Sequence, residues 1–226
     1  MLVMISIVVA LVVTTSGFFR NDLKASGNRV VTGTFEMAID AMDTATSSQP
    51  YSVMSVENSV VVQKNKFPPL DTLLPGEKRT LYLSLRNIGS IPYDFRVNFK
   101  GTWGDPALDA QNMIEVADVK RFQAGNCEGD IYCTSLVSWL NLPGLFAFAG
   151  NPTSFGNLGS MSTTAGSNYF GNSNTLTDNI NRLNVEEYHI FKVDLLLKPE
   201  AGNDFQGKSF TYDLVAQSKQ INAPSF

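Results

Sequence analysis

Hydrophobic and polar residues alternate with a period of two in several stretches of this chain, and that alternation predicts β-strands. Leu81, Leu83 and Leu85 alternate with Tyr82, Ser84 and Arg86; Asn87, Gly89 and Ser90 then turn the chain. Beyond the turn Tyr93, Phe95, Val97 and Phe99 alternate with Asp94, Arg96 and Asn98. The same rhythm on both sides of a Gly-containing turn predicts an antiparallel pair with one buried face. It returns from Tyr188 to Lys198, where Phe191, Val193, Leu195 and Leu197 alternate with Lys192 and Asp194, and again at Phe210, Tyr212 and Leu214. Near the N-terminus, Arg29 to Asp40 places Val31, Gly33, Phe35, Met37 and Ile39 on one face, and Val60 to Val62 reads as a short buried strand.

Between Gly101 and Glu187 the rhythm fails. Met113, Val116, Ala117 and Lys120 fall at helical spacing and predict a short helix over about 111–122. Leu136, Val137 and Leu140 predict another, around Cys133 to Leu142, and Gly150 to Asn184 is an Asn-, Ser-, Thr- and Gly-rich tract read as a long surface loop with small hairpins. Strands at both ends, irregular insertions between them and no βαβ rhythm point to an all-β fold, an antiparallel β-sandwich with short helical and Asn/Ser/Thr/Gly-rich loop insertions.

Met1 to Gly17 is apolar up to a small-residue end at Thr14, Thr15, Ser16 and Gly17. A secretory signal combines about 7–15 apolar residues with small residues before the cut, so cleavage after Gly17 is expected. The run is short for a bilayer span of roughly 20 residues, so no stable membrane span is expected after cleavage. No Lys or Arg precedes it, and the first cation is Arg20; an upstream start, a retained anchor and a retained strand therefore stay open.

Composition narrows the function. The net charge is −4 with pI near 5.0 and no basic stripe, which argues against a nucleic-acid partner. Fifteen Phe residues supply a sizeable core. Cys127 and Cys133, the only cysteines, are expected to form a local disulfide in an exported chain, stabilising it by about 2 kcal/mol. Two thiols and a single histidine make a poor zinc set, and no EF-hand spacing occurs, so no metal and no cofactor are expected. His189 lies within a strand pattern, no G-x-S-x-G or phosphate loop is present, and no catalytic residues are expected. The chain reads as a non-enzyme.

Three stretches resemble the TasA/camelysin family of secreted fibre proteins, including archaeal bundling-pilus subunits: GFFRNDLKASGNRVVTGTFEMAID, LLPGEKRTLYLSLRNIGSIPYDFRV and VDLLLKPEAGNDFQGKSFTYDLVAQSKQ. The third is the most specific, with Asn203, Phe205, Gln206 and Gly207 at the family's spacing. The resemblance implies a jelly-roll-like sandwich that polymerises head-to-tail by donating an N-terminal strand to the next identical subunit, as an extracellular, cell-surface filament. It covers roughly a third of the chain near both ends.

The expected organisation is therefore a signal at 1–17, a donor segment at 18–29, and a sandwich at 30–226 with an insertion at about 101–187. Phe18, Phe19, Leu23, Val30 and Val31 are the candidate donor residues. Inserting four or five of them would gain roughly 6–15 kcal/mol before ordering costs. Lateral bundling of filaments is a further expected contact. The main alternative is a secreted adhesive or glycan-binding sandwich presenting an aromatic platform, for which Trp103 and Tyr169 are candidates and Trp139 is read as a helix-face residue.

Overall fold

The structure, a computed structural model, describes residues 20–23, 36–44, 49–57, 60–63, 67–71, 73–122, 127, 129–141, 153–161, 163 and 182–221. These residues form twelve strands: β1 (Arg20–Leu23), β2 (Met37–Asp43), β3 (Tyr51–Glu57), β4 (Val60–Gln63), β5 (Lys78–Asn87), β6 (Tyr93–Trp103), β7 (Ile114–Phe122), β8 (Thr153–Gly156), β9 (Gly159–Ser160), β10 (Arg182–Leu183), β11 (Tyr188–Leu197) and β12 (Phe210–Gln220). One helix, α1 (Ile131–Trp139), and 3-10 turns at Pro106–Gln111 and Asn203–Phe205 accompany them.

The strands make a four-stranded sheet in the order β1-β12-β6-β10 and an eight-stranded sheet, β4-β3-β2-β5-β11-β7-β8, with β9 beside β7. Every strand pairing among the described residues is antiparallel, and the two sheets enclose one core. Leu81, Leu83 and Leu85 of β5 and Phe191, Val193 and Leu195 of β11 face Phe95, Val97 and Phe99 of β6 in that core, with the Phe95 and Phe191 rings 6.1 Å apart. Each such side chain contributes roughly 1.5–3 kcal/mol of burial. The expected all-β antiparallel sandwich is therefore the fold.

The pairing inside it differs from expectation. β5 and β6 do not form a hairpin: β5 lies between β2 and β11, whereas β6 lies between β12 and β10 in the opposite sheet. Period-two alternation reports which face is buried and carries no information about which neighbour completes the ladder. The crossing is held by Asn87, 1% exposed, whose Nδ2 donates to Ile91 O (2.9 Å) and Leu183 O (3.2 Å) and whose Oδ1 accepts from Gly89 N (2.9 Å). A side chain thereby does at this corner what a second strand would do in a hairpin.

The helix expected over 111–122 is strand β7. Asp118 stands opposite Asp194 and Val116 opposite Leu195, so Ala117 is an extra residue, a β-bulge that shifts the phase of the alternation. Ile114, Val116 and Val119 all reach the core, and their uneven spacing imitates a helical period. β7 pairs along β11, so part of the stretch expected as an insertion belongs to the main sheet. The first strand of the eight-stranded sheet is Met37–Asp43 and runs past Asp40, the expected end; residues 29–35 of the expected strand lie outside the described residues. The expected strands at Val60–Val62, Tyr188–Lys198 and from Phe210 are present, and the expected helix at 133–142 is α1, two residues earlier at its start.

The outer face of the eight-stranded sheet carries a second apolar cluster. Met42, Tyr82, Phe122, Tyr188 and Ile190 pack beneath Cys133 and Leu136 of α1, and Cys127 is disulfide-bonded to Cys133. Asp130 fixes the helix start: its Oδ1 accepts from Tyr132 N and Cys133 N (both 3.1 Å), and its Oδ2 accepts from Tyr82 Oη at 2.6 Å and Lys192 Nζ at 3.5 Å. Burial opposes its charge, but the Tyr82 hydroxyl, the helix N–H groups and Lys192 together hold its carboxyl below the usual carboxylate range. Among the described residues no helix is long and apolar enough to cross a membrane.

Candidate assembly edge

The candidate functional site is the border of the four-stranded sheet, where β1 lies beside β12. β12 pairs with β6 along its full length, from Phe210 opposite Trp103 to Gln220 opposite Tyr93. On its other side the described residues of β1 pair with it, with Arg20 opposite Lys219, Asn21 opposite Ser218, Asp22 opposite Gln217 and Leu23 opposite Ala216. β2, the next strand in sequence, belongs to the other sheet, so β1 reaches its place as a separate short piece.

Backbone geometry defines what this edge offers. Phe210 exchanges both backbone hydrogen bonds with Leu70 (Leu70 N to Phe210 O 2.8 Å; Phe210 N to Leu70 O 3.2 Å) on the side away from β6. Strand groups alternate in direction, so Tyr212, Leu214, Ala216 and Ser218 present their N–H and C=O to the same side. Ala216 and Ser218 face β1; no described strand pairs with Tyr212 or Leu214 there. The edge rests on the core: Leu214 and Ala216 are 7% and 0% exposed, so a strand docking here meets a firmly held partner. On the outer face Arg96 Nε donates to Gln217 Oε1.

Beside the start of β12 lies a buried polar cluster. Arg79 is 4% exposed, donates Nη1 to Pro69 O at 2.9 Å, and stands 3.7 Å from the Asp43 carboxylate, itself fully buried. Tyr51 and Tyr212 flank the pair, and burial followed by the neighbouring Asp43 charge pushes the Tyr51 hydroxyl well above its ordinary value; burial does the same to Tyr212. Phe67 stacks on Tyr212, with ring centroids 5.1 Å apart, and meets Phe99 edge-on.

Of the expected donor residues, Leu23 is in β1 opposite Ala216, whereas Phe18, Phe19, Val30 and Val31 lie outside the described residues. Cys127 and Cys133 form the expected disulfide, away from this edge on the other sheet. Among the described residues no group of three His, Cys, Asp or Glu side chains converges as a metal site. His189 is 7% exposed in β11; burial, together with Arg121, lowers its pKa despite Glu187 at 3.5 Å. Trp103, one member of the expected aromatic platform, is 5% exposed and packed between Phe205 and Phe210, so it presents no ligand face. Tyr169 lies outside the described residues. Trp139, expected on a core-packed helix face, is 44% exposed.

The acceptor side of this arrangement was not legible as a site. Phe210, Tyr212 and Leu214 announce a strand, but only pairing reveals that it lies beside β1 at the sheet's border and that Leu70 bridges one end of it. No family model matches the chain, and no curated protein matches it. The chemistry available at β12 is recognition of an extended backbone by a row of N–H and C=O groups.

Proposed function

We propose that this chain is the structural subunit of an extracellular filament that polymerises head-to-tail, each copy lending its N-terminal segment, 18–29, to the β12 edge of the next. The observation that carries the reading is β1: the described residues of that segment, Arg20–Leu23, form a strand at the border of the four-stranded sheet. A contact made within one copy can be made identically between copies when the connecting segment swings out, and a donor and acceptor on different surfaces give an open chain. The sequence resemblance to secreted fibre proteins supports the same reading, and with it a jelly-roll-like sandwich, export by removal of Met1 to Gly17, lateral bundling of filaments and the absence of catalysis.

Strand exchange is physically cheap here. Each backbone hydrogen bond of β1 is worth about 0.5–1.5 kcal/mol net, against about 1–2 kcal/mol for ordering each residue that joins the ladder. The intramolecular docking is therefore close to balanced and can yield to an intermolecular one that also inserts neighbouring apolar residues.

Paired cysteines at Arg20 and Lys219, which stand opposite each other, test this. Assembled and oxidised protein is expected to run as a ladder on a non-reducing gel and to collapse to monomer on reduction. A single monomer band, together with no fibres in negative-stain micrographs of the parent protein, would overturn the proposal. A secreted glycan-binding sandwich is the second reading; exposed Trp139 favours it, and glycan-array binding by a monodisperse protein would establish it.

A further inference from the structure

We infer that Asp43, Tyr51, Arg79 and Tyr212 form a closed polar site that binds one ordered water molecule between the two sheets. The site lies inside the sandwich, so the inference goes beyond the proposed function and does not depend on it. Four strands build it. In the eight-stranded sheet Asp43 of β2 stands opposite Leu81 of β5, and Tyr51 of β3 stands opposite Ala41 of β2, so both share the inner face with those core residues. Arg79 lies two residues before Leu81 on β5 and opposite Leu195 of β11, which puts it on the same face. Both Tyr51 and Arg79 are thereby diagonal cross-strand neighbours of Asp43, within reach of long side chains. Tyr212 enters from the other sheet, between Phe210 and Leu214 on the inner face of β12, with Phe67 stacked on its ring at 5.1 Å.

The hydrogen-bonding capacity of these side chains is not used up within the protein. Asp43 is 0% exposed, and Arg79 and Tyr212 are each 4% exposed. Arg79 Nη1 donates to Pro69 O at 2.9 Å and stands 3.7 Å from Asp43 Oδ2. Arg79 Nε, the Tyr51 hydroxyl and the Tyr212 hydroxyl are buried with no hydrogen-bond partner in the protein. Buried polar groups are seldom left so, and an interior water typically satisfies about three of them. One water matches this set: it accepts from Arg79 Nε–H and from one phenol, and donates to the other phenol oxygen and to the Asp43 carboxylate. Charge selects water over an ion. Arg79 and Asp43 already neutralise each other, so a cation would meet the guanidinium and an anion the carboxylate. Burial keeps both phenols protonated, so each still has its O–H to give. The water would tie β12 to β2, β3 and β5 of the opposite sheet.

A crystal structure of the full chain, at a resolution that shows ordered solvent, tests this directly. A water oxygen within hydrogen-bond distance of Tyr51 Oη, Tyr212 Oη and Arg79 Nε is expected. Density for an ion at that place, or direct hydrogen bonds from both tyrosines to Asp43 with no water between them, would overturn the site. In solution, oxygen-17 relaxation dispersion counts water molecules held for longer than the protein takes to tumble. The parent chain is expected to hold one more such water than Tyr51→Phe/Tyr212→Phe, which removes two of the four partners, with both proteins compared in the same state of assembly by size-exclusion chromatography. Equal dispersion amplitudes would overturn the inference. If the double variant does not fold by circular dichroism, Tyr51→Phe alone decides by the same criterion. Filament formation is scored separately by microscopy, so a failure of the filament reading leaves this result interpretable.

Discussion

The helix α1 on the eight-stranded sheet and the strand β1 on the four-stranded sheet are both covers, and they are fastened by different physics. α1 is tied down by apolar burial at Cys133 and Leu136, by the Cys127–Cys133 disulfide and by Asp130, which binds the helix start, Tyr82 and Lys192 at once. β1 is held by ladder pairing over four residues and is separated from β2 by the residues between Leu23 and Met37. A cover with several independent attachments is permanent. The proposed exchange requires β1, whose described attachment is its ladder with β12, to be the more loosely held of the two. The proposed donor is a border strand, and the elements that move in other proteins are drawn from the low-stability end.

Variants in the two covers should separate them by size of effect. The largest is expected for Leu136→Ala, since Leu136 is fully buried: a loss of about 2–5 kcal/mol by denaturant titration, with faster amide exchange in α1. A loss under about 0.5 kcal/mol would mean that α1 is as loosely attached as β1.

Next comes Asp130→Asn, which keeps a capping group but removes the charge received by Tyr82 and Lys192; about 1 kcal/mol is expected at neutral pH, kept small because the site is partly solvated. The carboxyl is held below its ordinary value of 3.8 in the folded chain, so the stabilisation is present above that value and is lost as pH falls through the folded one. Parent and variant stability curves should therefore converge in acid and separate above about pH 4. Parallel curves at every pH would show that the charge of Asp130 does no work.

The smallest effect on monomer stability is expected for deletion of residues 1–23. Loss of β1 should shift the thermal midpoint by no more than roughly 2–4 °C, the equivalent of about 1 kcal/mol at this chain length, while abolishing filaments. Filaments of normal appearance from the truncated chain would remove the basis for calling β1 exchangeable.

Legibility in the sequence follows the range of the interaction responsible. β5, β6, β11 and β12 could be read because a half-buried strand writes its face into a period of two. The local disulfide could be read because its cysteines are six apart in sequence. β7 was misread because one bulge residue, Ala117, breaks the phase, and the bulge is defined only by its partner β11. The β5–β6 crossing was misread for the same reason: Asn87 serves a corner whose other side is Leu183, ninety-six residues away.

The chain by itself determined that it is an antiparallel β-sandwich, which residues fill its core, and which cysteines join, because all three follow from local periodicity, composition and proximity. Tertiary structure decided which strand lies beside which, that β12 carries Leu70 near one end and β1 near the other, and that a buried Arg79–Asp43 pair stands beside Tyr212. Edges and register arise from hydrogen bonds between residues far apart in sequence, and no local pattern encodes the identity of a distant partner.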